Sequence, residues 1–358
     1  MTAIIMGTIH YIGSGQPLPA PMMIYGEEKP DTILFTGTAE LIPVLSNNDD
    51  FERVDSGFPV NGSRLTLHIQ HGDIFTFSKS AAGNKPNQAG CLAWAEYRLR
   101  EMQAQHNKAL VVTYKGQAER FWNTLSPKFP DFLVPFQERD GSKNKRIPYF
   151  GGMNGSNLYG SCTGMVIAGL PRFRRKDCLA EAVALASVST DWAKALAKAG
   201  NDPLPLITRM QDTLLANNLV RAIFRTDMRN HSSDKHVDVW LLQPPDDVVR
   251  YVQAAFPGCR IEHVHEVPLE VVLAVAGAQT YNDKEPHFIR LLKALYSLPA
   301  GTVIRPQELY NRADLTLAQF KEAKRNRLVR AFFRDHMQTK GGGVNTTYLI
   351  VASKDAAI

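Results

Sequence analysis

Short apolar runs separated by longer amphipathic stretches organise most of this chain. The clearest is ALVVTY at 109–114, continuous as a strand covered on both faces of a parallel sheet must be. Leu65, Leu67 and Ile69 alternate with polar neighbours, and Ile74, Phe75 and Phe77 extend the pattern. Runs at 32–35, 147–150, 164–168 and 237–242 add strand candidates. Between the runs, the spacing of apolar positions predicts helices over 89–106, 117–125, 179–199 and 206–225. Strands alternating with helices predict an α/β fold, a mostly parallel sheet flanked by helices.

The ends of the chain read differently. Residues 1–30, with Pro17, Pro19 and Pro21, form an irregular arm, and the α/β lobe is expected over 31–245. Gln243-Pro244-Pro245 opens a connector over 246–285, with a helix at 246–255 and an apolar run at 267–276. From 286 the pattern is an amphipathic helix to 297, a short helix over 306–312, and a long helix over 315–336 that Asp314 is placed to cap. Lys340-Gly341-Gly342-Gly343 then leads into a strand at 347–351. That order predicts a winged helix-turn-helix domain over 286–352.

Charge sharpens the C-terminal reading. The 358 residues carry 41 Lys plus Arg against 35 Asp plus Glu, a net charge of +6. The long helix holds Lys321, Lys324, Arg325, Arg327, Arg330 and Arg334 against only Glu322 and Asp335. Leu317, Phe320, Leu328, Ala331 and Phe332 are its expected inward stripe. A basic helix beside a glycine-tipped hairpin, with Lys340 on the hairpin, suits phosphate tracking and groove reading. DNA is the expected partner, with RNA as an alternative.

Other chemistry finds little support. Cys91, Cys162, Cys178 and Cys259 are scattered, so neither a zinc site nor a disulfide framework is expected, and a reducing cytoplasm is. No run of about 18 apolar residues predicts a membrane span. His68 with His71, and His263 with His265, lack a spaced acidic or Cys partner and read as structural or surface histidines, so no metal is expected. Ser161-Cys162 has no histidine in supporting context.

Four further segments follow in chain order. Phe35-Thr36-Gly37-Thr38-Ala39 closes the first strand candidate, and Val111-Val112-Thr113-Tyr114-Lys115 closes another. Asn154-Gly155-Ser156-Asn157 is a polar turn before a strand ending in Gly169-Leu170-Pro171. Arg221, Arg225 and Arg229 recur every four residues, and 237–242 follows as a strand. Together these segments resemble the second RecA-like lobe of superfamily 2 helicases of phage, plasmid or mobile-element type. The resemblance implies that Arg225 and Arg229 are candidate arginine fingers, and that Gly155, Asn157 and Arg221 lie toward a nucleotide. It also implies that Lys115 ends over a nucleic-acid groove. Arg221 stands where the family has Gln, Asn154 where it has Arg, and Arg229 falls one residue late.

No GxxxxGK[ST] loop and no DExD/H box occurs in the sequence, so the isolated chain is expected to bind no ATP or Mg²⁺ and to turn over no ATP. ATP would enter only with a partner lobe that carries the phosphate loop. The leading expectation is a helicase-like, nucleic-acid-binding protein of DNA replication or mobile-element processing. Two alternatives stand beside it: a non-catalytic adaptor in a larger nucleoprotein assembly, and a regulator that uses the winged helix alone.

Overall fold

The computed structural model describes residues 61–71, 84–137, 143–153, 159–171, 173–186, 190–230, 232–278, 285–343 and 346–351. The expectations for 1–60, for Ile74, Phe75 and Phe77, and for Gly155 and Asn157 lie outside the described residues. The strands are β1 (Leu65–Gln70), β2 (Ala109–Val112), β3 (Phe136–Gln137), β4 (Lys143–Asn144), β5 (Gly164–Ile167), β6 (Val237–Leu242), β7 (Arg260–Val264), β8 (Val303–Ile304), β9 (Met337–Lys340) and β10 (Thr347–Ile350). The α-helices are α1 (Lys85–Met102), α2 (Ala118–Leu125), α3 (Arg175–Ala186), α4 (Thr190–Ala199), α5 (Leu204–Ile223), α6 (Asp246–Ala255), α7 (Leu269–Gly277), α8 (His287–Tyr296), α9 (Pro306–Arg312), α10 (Leu317–Ala323) and α11 (Arg327–His336).

The fold is α/β. Five strands form one sheet in the order β2-β5-β6-β1-β7, and every pairing in it is parallel. Period-two alternation assigns Leu65, Leu67, Ile69, Val237, Val239 and Leu241 to one face, all of them fully buried. The other face carries Thr66, His68, Gln70, Asp238 and Trp240 in register across β1 and β6. Sequence alternation in β1 therefore separates an apolar face from a polar one.

The chain divides into two units. One takes in Asn61–Pro171, Ile223–Pro244 and the chain from Gly258 onward; the other includes Arg172–Ala222 and Pro245–Pro257. In the second, α3, α4 and α5 share a core of Cys178, Ala182, Leu185, Trp192, Leu206, Ile207 and Met210. Arg209 lies 4.4 Å over the Trp192 ring and bridges Asp191 at 2.6 Å. The single helix expected over 179–199 is thus two, α3 and α4.

The sheet also runs past the expected boundary at 245. The stretch read as a connector supplies β7, which pairs with β1, and its apolar run is α7. Val271, Val272, Val275 and Ala276 of α7 are buried in one cluster with Trp94, Ala95 and Leu99 of α1. Arg100 on α1 holds Glu270 on α7 at 3.1 Å. The same cluster continues through Ile289, Leu292 and Leu295 of α8 to Phe320, Leu328, Phe332, Tyr348 and Ile350.

In that C-terminal part, β8, β10 and β9 form an antiparallel sheet in that order. The long helix expected over 315–336 is broken. Asn326 Oδ1 accepts from the Leu328 amide at 2.9 Å, so α11 starts afresh with its own cap. Asp314 caps nothing: its backbone has φ 52°, and its carboxylate takes Arg290 at 2.9 Å. Thr316 caps α10 instead, with Gln319 returning the bond to the Thr316 amide at 2.9 Å. Leu317, expected inward, is 50% exposed.

Candidate nucleic-acid interface

Helical spacing places Arg327, Arg330 and Arg334 on one exposed side of α11, while Leu328, Val329 and Phe332 are buried. Lys321 is exposed on α10, Arg325 in the break after it, and Lys340 at the end of β9. Beyond Lys340 the hairpin turns through Gly341 and Gly343 at φ 74° and 60°, a backbone that side-chain-bearing residues rarely adopt. Five of the predicted cations, with Arg334, are therefore solvent-facing on two adjacent helices and a hairpin. Glu322, also exposed, is an acidic residue among them, 3.4 Å from His287 Nδ1.

Lys324 behaves otherwise. Its Nζ donates to the Tyr348 hydroxyl at 3.0 Å and lies 4.8 Å from the Phe333 ring centroid, 5.2 Å from Tyr348 and 5.6 Å from Phe320. An ammonium among three rings is held by their negative faces. Lys324 thus ties the break between α10 and α11 to β10. Its position in the sequence gave no sign of this, since it sits among five exposed cations.

The α/β candidates are spread apart. Lys115 is exposed in the turn just past the carboxyl end of β2, its Nζ 6.0 Å from the Tyr149 ring. Arg146 lies 4.6 Å over Phe136, which stacks on Tyr149 at 5.1 Å. Arg221 is half-buried in the last turn of α5, and burial lowers its pKa. Arg225 follows α5 and is partly buried, whereas Arg229 is exposed at the end of the short turn Asp227–Arg229. That turn sits at the amino end of the sheet. The Asp227 amide donates to the Cys162 carbonyl at 2.9 Å, and Arg64, at the start of β1, bridges the Asp227 carboxylate at 3.0 Å. Arg64 also donates to the carbonyls of Asn230 and Lys235. Lys115 and the Arg225–Arg229 turn therefore lie at opposite ends of the strands, and open α/β sheets bind ligands at the carboxyl end.

The polar sheet face holds an arrangement that the sequence reading missed. Asp238 Oδ1 is 2.8 Å from His68 Nε2, and Oδ2 is 2.8 Å from His106 Nε2. His68 Nδ1 reaches Glu262 at 2.9 Å, and His106 Nδ1 reaches the Thr163 hydroxyl at 3.0 Å. Carboxylates only accept, so both nitrogens of His68 must donate for its two bonds to form together. His236 joins at 3.5 Å from Asp238, 2.9 Å from Thr66 Oγ1. Burial alone would raise the Asp238 pKa, but bonds from His106 and His68 and the charge beside them outweigh it. Its carboxyl is held well below the usual range. His68 stacks on Trp240 at 4.3 Å, and Arg98 lies 3.8 Å over the same ring. The one signal in the sequence was Thr66, His68 and Gln70 alternating with leucine and isoleucine.

Among the described residues, no group of three or more His, Cys, Asp or Glu is arranged to hold a metal ion. His71 pairs with His263 at 2.8 Å and stacks on His265, at the carboxyl ends of β1 and β7. All four cysteines are buried, and burial pushes Cys162 up to about 12 and Cys178 to about 11, which keeps them as thiols. No described helix is long and apolar enough to cross a membrane. Against known proteins, no family model, no curated protein and no solved structure matches the chain.

Proposed function

We propose that this chain binds duplex DNA through the segment from α8 to β10, which we read as a winged helix-turn-helix. The supporting observation is the exposed set Lys321, Arg325, Arg327, Arg330 and Lys340, gathered on two helices and a glycine-tipped hairpin whose opposite sides are core. Such cations neutralise phosphates and release condensed counterions. The parallel sheet is consistent with a RecA-like domain, and we read the chain, from its helicase resemblance, as acting in DNA replication or mobile-element processing. Gly155, Asn157 and Arg221, with Arg225 and Arg229 as fingers, belong to that nucleotide reading. DNA binding does not depend on them.

Anisotropy of the full chain with a labelled duplex, at several salt concentrations, tests this. Replacing Arg327 and Arg330 with Ala should weaken binding and reduce the salt slope by roughly 2, about one unit per phosphate contact. Unchanged affinity and slope in the folded variant would overturn it and favour an adaptor that docks protein on this face. The isolated chain should show no ATP turnover with or without DNA, since the sequence has no phosphate loop.

A further inference from the structure

The break between α10 and α11 divides the exposed residues by chemistry. On α11 the outward row is Arg327, Arg330 and Arg334, all cations. On α10, beside exposed Ala318 and Glu322, one outward row is Leu317, Lys321 and, just beyond the helix, Arg325, at steps of four residues. Leu317 is 50% exposed, although the other large apolar residue of its helix, Phe320, is 3% exposed. Lys324, which could have added a cation between the rows, is turned into the fold against Phe333 and Tyr348. One row thus carries cations alone, and the other sets an apolar group ahead of two cations.

We propose that the Leu317–Lys321–Arg325 row is the base-reading edge of this protein, with Leu317 set against thymine methyl groups in the major groove. This rests on the duplex-binding reading above. Phosphate is the same at every step of DNA, so cations bound to it position the chain without reading it. The thymine C5 methyl is the apolar mark on the major-groove floor, and an apolar side chain is what distinguishes it. Lys321 and Arg325, one and two turns further along, are donors of the type that pairs with guanine O6 and N7.

The test uses the full chain and a duplex pool with a randomised centre. An enriched duplex is then compared with the same duplex carrying deoxyuridine for thymine, which removes only the methyl. Wild type should lose roughly fourfold in affinity per contacted methyl, the worth of about one buried methyl group. Leu317→Ala should bind both duplexes alike, Leu317→Met should keep the discrimination, and the salt slope should stay constant throughout. Wild type that is indifferent to the methyls, or Leu317→Ala that discriminates as wild type does, would overturn the assignment while leaving duplex binding intact. Wild type that fails to bind even the unselected pool would overturn both readings.

Discussion

At the scale of single residues, the charges that organise this protein are those it keeps for itself. Asp238 is 13% exposed and meets His68 and His106 at 2.8 Å. Its carboxyl is depressed in the folded chain, so the stability it adds is present above the ordinary carboxylate pKa of about 4. That stability is lost as pH falls through the lower folded value. Denaturant unfolding between pH 3 and 7 should therefore show an acid limb in wild type that Asp238→Asn flattens. At pH 7, Asp238→Ala should cost about 2–4 kcal/mol, because two imidazoles lose their acceptor in a largely buried place. An unaltered acid limb in the Asn variant would move the pH dependence to other groups. The sequence held the pieces of this cluster but not its closure. His68, His106 and Asp238 are far apart along the chain: the β1–β6 pairing sets His68 near Asp238, and His106 arrives from the loop between α1 and β2.

Among elements, apolar periodicity predicted strands and helices well and their interruptions poorly. β2, β5 and β6 lie where strands were read from apolar runs, β2 in the continuous run that a strand buried on both faces leaves. The break at 324–326 left no mark in periodicity, because Phe320 and Leu328 are eight residues apart and fit one continuous helix. The local signal was Asn326, a good cap two residues before a buried leucine. Strand β7, at the edge of the sheet, is partly exposed along its length and so lacked the apolar run that marked its neighbours. If the cap sets the break, Asn326→Ala should destabilise the chain by about 1 kcal/mol. It should also weaken duplex binding by shifting Arg327 and Arg330 relative to Lys321. Asn326→Asp should restore both, since aspartate caps equally well. Stability lost without any change in binding would show that the angle between α10 and α11 is irrelevant to DNA.

For the molecule as a whole, what matters most is that the described C-terminal helices share one core cluster with α1 and α7. The sequence suggested a lobe, a connector and a winged helix as beads in a row, and the connector was the piece with no assigned purpose. Its α7 is instead where two sets of apolar residues meet. Val275, 1% exposed, belongs to one cluster with Trp94 and Leu99 of α1 and Leu291 and Leu295 of α8. Elements that share a core lose stability together, whereas beads joined by a linker open independently. Val275→Ala removes methyl groups from that junction and should cost about 1–3 kcal/mol. Hydrogen exchange followed by mass spectrometry should show protection falling in step across β1, β6 and α1 and across α8, α11 and β10. Faster exchange confined to one group would mean that the C-terminal helices fold on their own. DNA held by α10 and α11 would then have no fixed register to the sheet. A joint loss would mean that a duplex bound at these helices is carried rigidly by the α/β domain, the property a helicase-like or assembly-linked role requires.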